Sequence, residues 1–346
     1  MVEALASEDP WEIAGYKLRG RLGSGGMGIV YLSYSRGGQP VALKVVRREY
    51  AEDPEFRRRF AREVEAARRV QGAYTAPVLD SNVEGTQPWL ASAYVPGPSL
   101  ADAVHRHGPL PPETVLSLVA GIAEALQSIH GVGVVHRDLK PTNVLLASDG
   151  PRVIDFGIAR SADATALTDT NVRLGTPAYM SPEQVTGRGI GPETDLFALG
   201  LVAFFAATGR HPFGEGDGNA LLFRILSQEP ELTACPEPLR EIVARCLAKE
   251  SSERPTPTEI IELCRGGAGA GSFDRGGELV AATADRRGDN PPGDGIAADA
   301  ASGHHYRYGA AACRAGVRGR GAHHPADRWW YRVRHHATAA GARSGR

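Results

Sequence analysis

The hydrophobic pattern of this chain changes once, near Pro98, and that change limits the folds open to it. Residues 16–94 mostly alternate between apolar and polar side chains, as β-strands do, with one amphipathic helix predicted at residues 54–70. After Pro98, apolar residues recur at three- and four-residue spacing, as in residues 113–130, which is typical of buried helices. The pattern predicts an α+β fold of two lobes, a small β-rich lobe at residues 16–94 and a larger helical lobe at residues 95–265.

Two segments flank the predicted fold. Residues 1–15 are a short acidic extension that lacks the basic and apolar regions of a secretory signal. Residues 266–346 are rich in Gly, Ala, Arg and His and have no periodicity, so we expect disorder there. Reading residues 272–283 one base further on in GC-rich codons gives a more protein-like sequence. Out-of-frame translation is therefore a second hypothesis for this tail.

Composition and charge narrow the partners and the compartment. The formal net charge of −1 gives no support for nucleic acid or an anionic membrane as the main partner. The longest apolar stretch, residues 196–207, is shorter than the roughly 20 residues that span a bilayer, so we expect no membrane segment. The cysteines form no CxxC pair, which favours a reducing, cytoplasmic compartment over a disulfide or zinc framework; they are Cys235, Cys246, Cys264 and Cys313.

A glycine-rich segment lies between two predicted strands. Its pattern is Gly23-x-Gly25-x-x-Gly28-x-Val30, and glycine there lets the backbone approach phosphates and offer its N–H groups. A plain turn or a dinucleotide-binding loop would use the same letters. The dinucleotide interpretation needs a helix directly after the third glycine, whereas this chain continues as a strand. A hairpin flap over phosphates therefore fits better.

One lysine, Lys44, interrupts an apolar strand. A lysine at a strand edge can extend its amine to solvent, and that interpretation stays open for the motif alone. A partly buried ammonium needs a carboxylate partner. We predict that partner to be Glu63 in the 54–70 helix, with Glu65 as its rival.

The strongest single motif is His136-Arg-Asp-Leu-Lys-Pro-Thr-Asn143. Asp138 is placed to accept the proton of a substrate hydroxyl, and Lys140 can neutralise charge on a moving phosphoryl group. Asn143 can bind a metal ion, whereas His136 is predicted to pack and hydrogen-bond. The eight-residue pattern makes coincidence an unsatisfactory explanation.

A second acidic motif, Asp155-Phe-Gly157, follows a short apolar strand. Asp155 can bind a Mg²⁺ ion that bridges phosphates, and Gly157 lets the chain turn. Alone, the motif would be an ordinary turn. Its position between the 136–143 loop and the segment Gly175-Thr-Pro-Ala-Tyr-Met-Ser-Pro-Glu183 favours a functional interpretation.

In order and spacing, these motifs resemble the signature set of the protein kinases over about three-quarters of the chain. Details such as Gly-Gly-Met-Gly28 and Met180-Ser-Pro-Glu183 resemble the eukaryotic-like (Hanks-type) serine/threonine kinases of actinobacteria. The resemblance implies Asp138 as catalytic base, Lys44 and Glu63 as an ion pair, and Lys140 as a phosphate contact. It implies Asn143 and Asp155 as the metal ligands. The residues implied to bind the nucleotide are Leu22, Gly23, Ser24, Gly25, Gly26, Gly28, Val30, Ala42, Lys44, Tyr94 and Val95.

The resemblance further implies transfer of the γ-phosphate of ATP to serine or threonine hydroxyls of proteins in bacterial signal transduction. The expected metal is Mg²⁺, with Mn²⁺ as the alternative. Arg137 suggests control by phosphorylation of the loop after Asp155, and a homodimer for trans-autophosphorylation is left open. The acceptor candidates in that loop are Thr165, Thr168, Thr170 and Thr176. The family also pairs Glu183 with Arg254 and supports the catalytic loop with Asp195.

Three other kinds of protein are alternatives to a protein kinase. A pseudokinase predicts loss of Lys44, Asp138, Asn143 or Asp155, and all four residues are present. A small-molecule phosphotransferase would not need residues 175–183, the segment that docks peptides in protein kinases. An NAD-binding enzyme is the weakest rival, because no helix is predicted directly after Gly28.

Overall fold

The computed structural model describes residues 2–156 and 177–267 of the chain. Its smaller lobe is built on a five-stranded antiparallel sheet in the order β3 (Gly20–Ser24), β4 (Gly28–Tyr34), β5 (Pro40–Val46), β7 (Trp89–Ala93) and β6 (Val78–Asn82). Two further strand pairs, β1–β2 and β8–β9, are also antiparallel. The strands are β1 (Glu12–Ile13), β2 (Tyr16–Lys17), β3 (Gly20–Ser24), β4 (Gly28–Tyr34), β5 (Pro40–Val46), β6 (Val78–Asn82), β7 (Trp89–Ala93), β8 (Val144–Ala147) and β9 (Gly150–Val153).

Alternation along β5 gives the sheet two different faces. Leu43 and Val45 point to an outer cluster that also contains Tyr31 and Trp89. Lys44 lies on the opposite, inner face, which helix α2 (Pro54–Arg68) partly covers. The inner face is therefore the one that turns a charged side chain toward the second lobe.

The second lobe is helical, and its core lies around α4 (Pro112–His130) and α6 (Pro192–Thr208). Helix α6 has no polar face, and nearly its whole length is buried. It begins at Pro192 and ends before Gly209, which caps it in the left-handed conformation. The helices are α1 (Arg48–Ala51), α2, α3 (Leu100–His107), α4 (Pro112–His130), α5 (Pro182–Thr186), α6 (Pro192–Thr208), α7 (Gly218–Ser227), α8 (Leu239–Cys246) and α9 (Pro257–Gly267).

The predicted fold class is confirmed, with a β-rich lobe followed by a helical lobe. The helix predicted at residues 54–70 ends two residues earlier, at Arg68. Helices α1, α3 and α5 are not predicted individually by the sequence. Helices α1 and α5 have only four and five residues, whereas α3 does place Leu100, Ala103 and Val104 at helical spacing. The predictions for residues 268–346 lie outside the described residues.

Candidate active site

The catalytic-loop motif folds so that three of its predicted residues contact one another. Lys140 Nζ lies 2.9 Å from Asp138 Oδ2. The side-chain amide of Asn143 donates to the Asp138 carbonyl at 2.8 Å and to its Oδ2 at 3.2 Å. The Asp138 carboxylate is thus held by a cation and an amide, and its side chain stays partly exposed. The side chains that the sequence predicts as base, cation and oxygen ligand are therefore in contact.

His136 is buried behind this loop. Its Nε2 donates to the Ile154 carbonyl at 3.1 Å, because that oxygen can only accept. Its Nδ1 in turn accepts from the Asp138 backbone N–H at 3.2 Å, which requires the neutral ring. Burial lowers the pKa of His136, in agreement with this tautomer. These contacts make His136 a support for Asp138, in line with the packing role predicted for it.

The carboxylate of Asp195, in the first turn of α6, is buried and accepts hydrogen bonds from the backbone of the same loop. Its Oδ1 accepts from the Arg137 N–H at 2.8 Å, and its Oδ2 accepts from the His136 N–H at 2.8 Å. His130 Nε2 donates to Oδ2 at 2.7 Å. Gln184 Nε2 donates to the Arg137 carbonyl at 2.9 Å and joins α5 to the loop.

The backbone has unusual geometry at two residues of this site. Arg137 and Asp155 have φ values of 62° and 59°, in the left-handed region that non-glycine residues rarely adopt. Such conformations persist only where surrounding contacts hold them, and they concentrate at functional sites. The Asp195 contacts supply that support at the N–H groups of His136 and Arg137.

The pairing of Lys44 differs from the prediction. Lys44 Nζ lies 3.1 Å from Asp155 Oδ1, and no Lys44–Glu63 ion pair occurs within residues 2–156 and 177–267. Glu63 lies on α2 beside Arg59 and Arg62 instead. The difference arises because the periodicity of α2 fixes which side faces the sheet but not how far the helix lies from β5. The role predicted for Glu63 stays a prediction.

The predicted nucleotide-binding residues lie in or beside the strands of the smaller lobe. Val30 pairs with Lys44 across β4 and β5, and Ala42 pairs with Ser92 across β5 and β7. Lys44 and Ala42 are two residues apart and so share one face. Leu22 lies in β3, and Tyr94 and Val95 follow β7 directly; all three are partly buried. Val30, Ala42 and Lys44 therefore lie on one face of the sheet.

The glycines of the loop fall into two kinds. A Cβ built on Gly23, Gly25 or Gly26 meets nothing within 4 Å, so this part of the loop is open, and Ser24 beside it is exposed. A Cβ on Gly28 would lie 2.3 Å from the Val45 carbonyl oxygen. The first three glycines therefore leave space for a ligand, whereas Gly28 permits close contact of β4 with β5.

We expect Gly28→Ala to lower the free energy of unfolding by about 1–3 kcal/mol, because backbone atoms must separate to admit the methyl group. Gly26→Ala should change it by no more than about 0.5 kcal/mol, since its Cβ would enter open space. Urea unfolding of both variants measures the difference. Equal stabilities would contradict the close contact at Gly28.

Asn143 and Asp155, the predicted metal ligands, stand on neighbouring backbone segments. The N–H of Ile154 donates to the Asn143 carbonyl at 3.0 Å, one residue before Asp155. Asn143 uses its Nδ2 for the bonds to Asp138, which leaves Oδ1 as a potential ligand. Amide and carboxylate oxygens suit Mg²⁺ or Mn²⁺, so the donor set fits a hard divalent cation.

The predicted Glu183–Arg254 pair forms in the helical lobe. Two parallel contacts of 2.6 and 2.9 Å join the guanidinium to the carboxylate, and the Arg254 side chain is fully buried. Burial alone would raise the pKa of Glu183, but hydrogen bonds from Arg254 outweigh it and the pKa lies below its usual range. Thr194 donates a further hydrogen bond to Glu183 at 2.8 Å. This pair joins α5 to the segment before α9.

Several predicted regulatory residues lie outside the described part of the chain: Thr165, Thr168, Thr170 and Thr176, together with Gly157. Sequence reasoning missed His130, Gln184 and Asp9 as contacts of the site or its scaffold. A lone histidine at a helix end carries no motif. Gln184 completes the capping box Ser181-x-x-Gln184, a sequence signal for the start of α5 that does not reveal its contact with Arg137.

No helix within residues 2–156 and 177–267 combines the length and the apolar character needed to cross a membrane.

Comparisons with known proteins identify the family of this chain. The model of the protein kinase domain matches residues 16–263. The chain is 51% identical over 278 residues to the serine/threonine-protein kinase AfsK of Streptomyces coelicolor, covering 80% of this chain and 35% of that protein. It is 51% identical over 261 residues to the probable serine/threonine-protein kinase PkwA of Thermomonospora curvata, covering 75% and 35%. The chain thus spans about a third of the length of these relatives.

A solved structure is similar as well. The crystal structure of the PknI kinase domain of Mycobacterium tuberculosis superposes with a TM-score of 0.60 at 32% sequence identity. The match covers 77% of this chain and 100% of that domain. The chain therefore belongs to the protein kinase domain family and, within it, to the Hanks-type serine/threonine kinases of actinobacteria.

Proposed function

We propose that this chain transfers the γ-phosphate of ATP to serine and threonine hydroxyls of proteins. The observation that carries the proposal is the grouping of Asp138 with Lys140 and Asn143, each within 3.2 Å of its carboxylate. Lys44 and Asp155 form a second group, in which Lys44 Nζ lies 3.1 Å from Asp155 Oδ1. Lys44 lies in β5, and Asp155 lies in the loop after β9. Phosphoryl transfer needs positioned charges more than covalent chemistry, and these two groups supply them.

In this proposal Asp138 orients the substrate hydroxyl and receives its proton, while Lys140 offsets charge on the transferred group. Asn143 fixes the Asp138 carboxylate through its amide, so the base keeps its direction. Leu22, Val30 and Ala42 hold the adenine, with backbone groups of Tyr94 and Val95 beside it. The glycine-rich loop, with Gly23, Ser24, Gly25, Gly26 and Gly28, covers the phosphates.

Asn143 and Asp155 would hold Mg²⁺, or alternatively Mn²⁺, and when bound the cation neutralises phosphate oxygens. The amine of Lys44 forms an ion pair with Asp155 in the structure, so it must leave Asp155 to reach the phosphates. We propose that Glu63 receives it, because α2 is the element next to β5 on the inner face. An inward movement of α2 would then accompany catalysis.

We expect Glu63→Gln to lower kcat about 10- to 100-fold, because Lys44 would lose its partner in the reacting state. Glu65→Gln on the same helix is the matched control, since Glu65 is exposed, and its kcat should stay within about twofold of the parent. Steady-state kinetics with a peptide substrate measures both. Equal activities would assign the partner role to another carboxylate.

Two features support protein over small-molecule substrates. Glu183, the last residue of the segment that docks peptides in this family, is held by Arg254. The relatives AfsK and PkwA carry the name serine/threonine-protein kinase. Autophosphorylation of Thr165, Thr168, Thr170 or Thr176, in trans within a homodimer, and recognition of the phosphate by Arg137 extend the proposal. Buried thiols at Cys235, Cys246 and Cys264 favour a reducing, cytoplasmic setting.

The test is incubation of the protein with γ-labelled ATP and either Mg²⁺ or Mn²⁺, followed by phosphoamino-acid analysis and mass spectrometry. We expect phosphoserine and phosphothreonine in the protein itself and in a general protein substrate. Label in tyrosine, or consumption of ATP only with an aminoglycoside, would contradict the proposal. Parallel reactions with each metal identify the preferred cation.

A further inference from the structure

The N-terminal strap, defined here as residues 2–15, lies along the edge strand of the main sheet. Glu3 and Arg21 form an antiparallel bridge, with N–O distances of 2.8 and 2.9 Å between their backbones. A Cβ built on Gly20 would lie 2.5 Å from the Glu3 carbonyl oxygen and 2.5 Å from Val2. The strap therefore fits against β3 only because position 20 is glycine.

One carboxylate in the strap is buried and fully bonded. Arg21 donates to Asp9 from Nε at 2.7 Å and from Nη2 at 2.8 Å. The hydroxyl of Tyr31 donates to Asp9 at 2.6 Å, and the N–H of Ala6 donates at 2.8 Å. The Asp9 side chain is 2% exposed. Hydrogen bonds from Arg21 lower the pKa of Asp9 to about 2, so the carboxylate is charged at neutral pH.

The two partners of Asp9 occupy a particular place in the sheet. Arg21 in β3 and Tyr31 in β4 are directly paired across the strands that carry the glycine-rich loop. Each stands next to a predicted wall of the adenine site, Leu22 and Val30 respectively. A single charge thus ties both strands of the hairpin together at the base of the loop, from the face opposite the nucleotide site.

From this geometry we infer that Asp9 is a positioning residue for nucleotide binding. By joining Arg21 to Tyr31, it fixes the spacing of Leu22 and Val30 and the angle at which the glycine-rich loop leaves the sheet. The inference rests on the proposed function, because it assigns to this hairpin the role of covering ATP. Asp9 thereby supports the hairpin from outside the nucleotide site, through Arg21 and Tyr31.

The test compares Asp9→Asn with two controls in the full chain. The amide introduced by this change cannot accept hydrogen bonds at both of its side-chain positions, so we expect the KM for ATP and the Kd for ADP to rise about tenfold. The kcat at saturating ATP should stay within about twofold, since the groups that react are untouched. Glu8→Gln, an exposed neighbour 3.4 Å from Arg21, should leave all three constants unchanged.

A second control separates positioning from stability. Ile260→Val removes a buried methyl group in the helical lobe and lowers the melting temperature without touching the hairpin. We expect its KM for ATP to equal that of the parent. Gly20→Ala, which displaces the strap while keeping Asp9, should raise the KM for ATP as Asp9→Asn does.

These outcomes are distinguishable from failure of the proposed function. If the parent binds ADP and phosphorylates a protein but Asp9→Asn and Gly20→Ala keep the parental KM and Kd, the positioning role is wrong. If Ile260→Val raises the KM for ATP as much as these two variants do for the same loss of stability, the inference is equally overturned. A parent without kinase activity would instead refute the proposed function, and the Kd for ADP would still test the strap.

Discussion

Replacing Asp138 by Asn is expected to lower kcat by about 10²- to 10⁴-fold, the range for loss of a general base. The amide keeps the size of the carboxylate and can accept from Lys140 Nζ, now 2.9 Å away, so the loop should hold its shape. It cannot take the hydroxyl proton. ATP binding should remain within about threefold, since the nucleotide contacts lie on the facing sheet.

The matched control for this variant is Asp149→Asn. Asp149 is an exposed carboxylate in the same lobe, bonded only to Arg152 among the described residues. Its loss should leave kcat within about twofold of the parent. Initial rates with a peptide substrate at saturating ATP measure both changes. An Asp138→Asn enzyme that kept a tenth or more of the parental rate would remove Asp138 from the role of base.

The second large effect concerns stability. Arg254→Ala should lower the free energy of unfolding by about 3–5 kcal/mol, the usual cost of removing one partner of a buried ion pair. Arg254 contacts both oxygens of Glu183 and donates to the backbone carbonyls of Ala248, Lys249 and Glu193. Its guanidinium also lies 5.0 Å from the centre of the Phe197 ring. Each of these acceptors would lose a donor in the variant.

Arg48→Ala is the control for Arg254→Ala, because Arg48 forms an exposed ion pair with Glu52. Its loss should cost no more than about 0.5 kcal/mol. Urea unfolding followed by circular dichroism measures both variants. Equal stabilities for the two would mean that the Glu183–Arg254 contact is not buried in solution.

The pH dependence adds an independent check on this pair. The pKa of Glu183 is depressed in the folded protein from its ordinary value of 4.5, so its stabilising effect is present above pH 4.5 and is lost as the pH falls through the lower, folded value. In Arg254→Ala, burial should instead raise that pKa, and acid should then relieve the uncompensated charge. The stability gap between parent and variant should therefore begin to narrow above pH 4.5, where the variant's Glu183 takes up its proton, and narrow further below pH 4.5 as the parent loses the effect of its charged pair.

The two-lobed fold is predictable from the sequence because the relevant signals are local. Alternation along residues 40–46 and helical spacing along residues 112–130 each depend on one segment alone. The loop from His136 to Asn143 carries its chemistry within eight residues, so its members are bound to fold near one another. Asp138 accordingly contacts both Lys140 and Asn143 in the structure.

The partner of Lys44 is not predictable in the same way. Glu63 and Asp155 are both carboxylates near an apolar strand, and the choice between them depends on the position of α2 relative to β5. Packing of Phe56 and Phe60 sets that position through contacts across the lobe. A helix can shift along such a surface without any change in its own sequence pattern.

The N-terminal strap is likewise predicted only as an extension, because its residues contain no periodic pattern. Its attachment depends on the absence of a side chain at Gly20 and on the cross-strand neighbours Arg21 and Tyr31. None of these features is visible until the register of β3 against β4 is known. Contacts between distant segments, here Asp9 with Tyr31, are what sequence patterns convey least.

The most direct measurement of the central claim is a crystal structure of the full chain with a non-hydrolysable ATP analogue and Mg²⁺. We expect the cation on Asn143 and Asp155, the amine of Lys44 at the phosphates, and the Asp138 carboxylate beside the terminal phosphate. A nucleotide bound away from Val30 and Ala42, or a cation held by other side chains, would contradict the account.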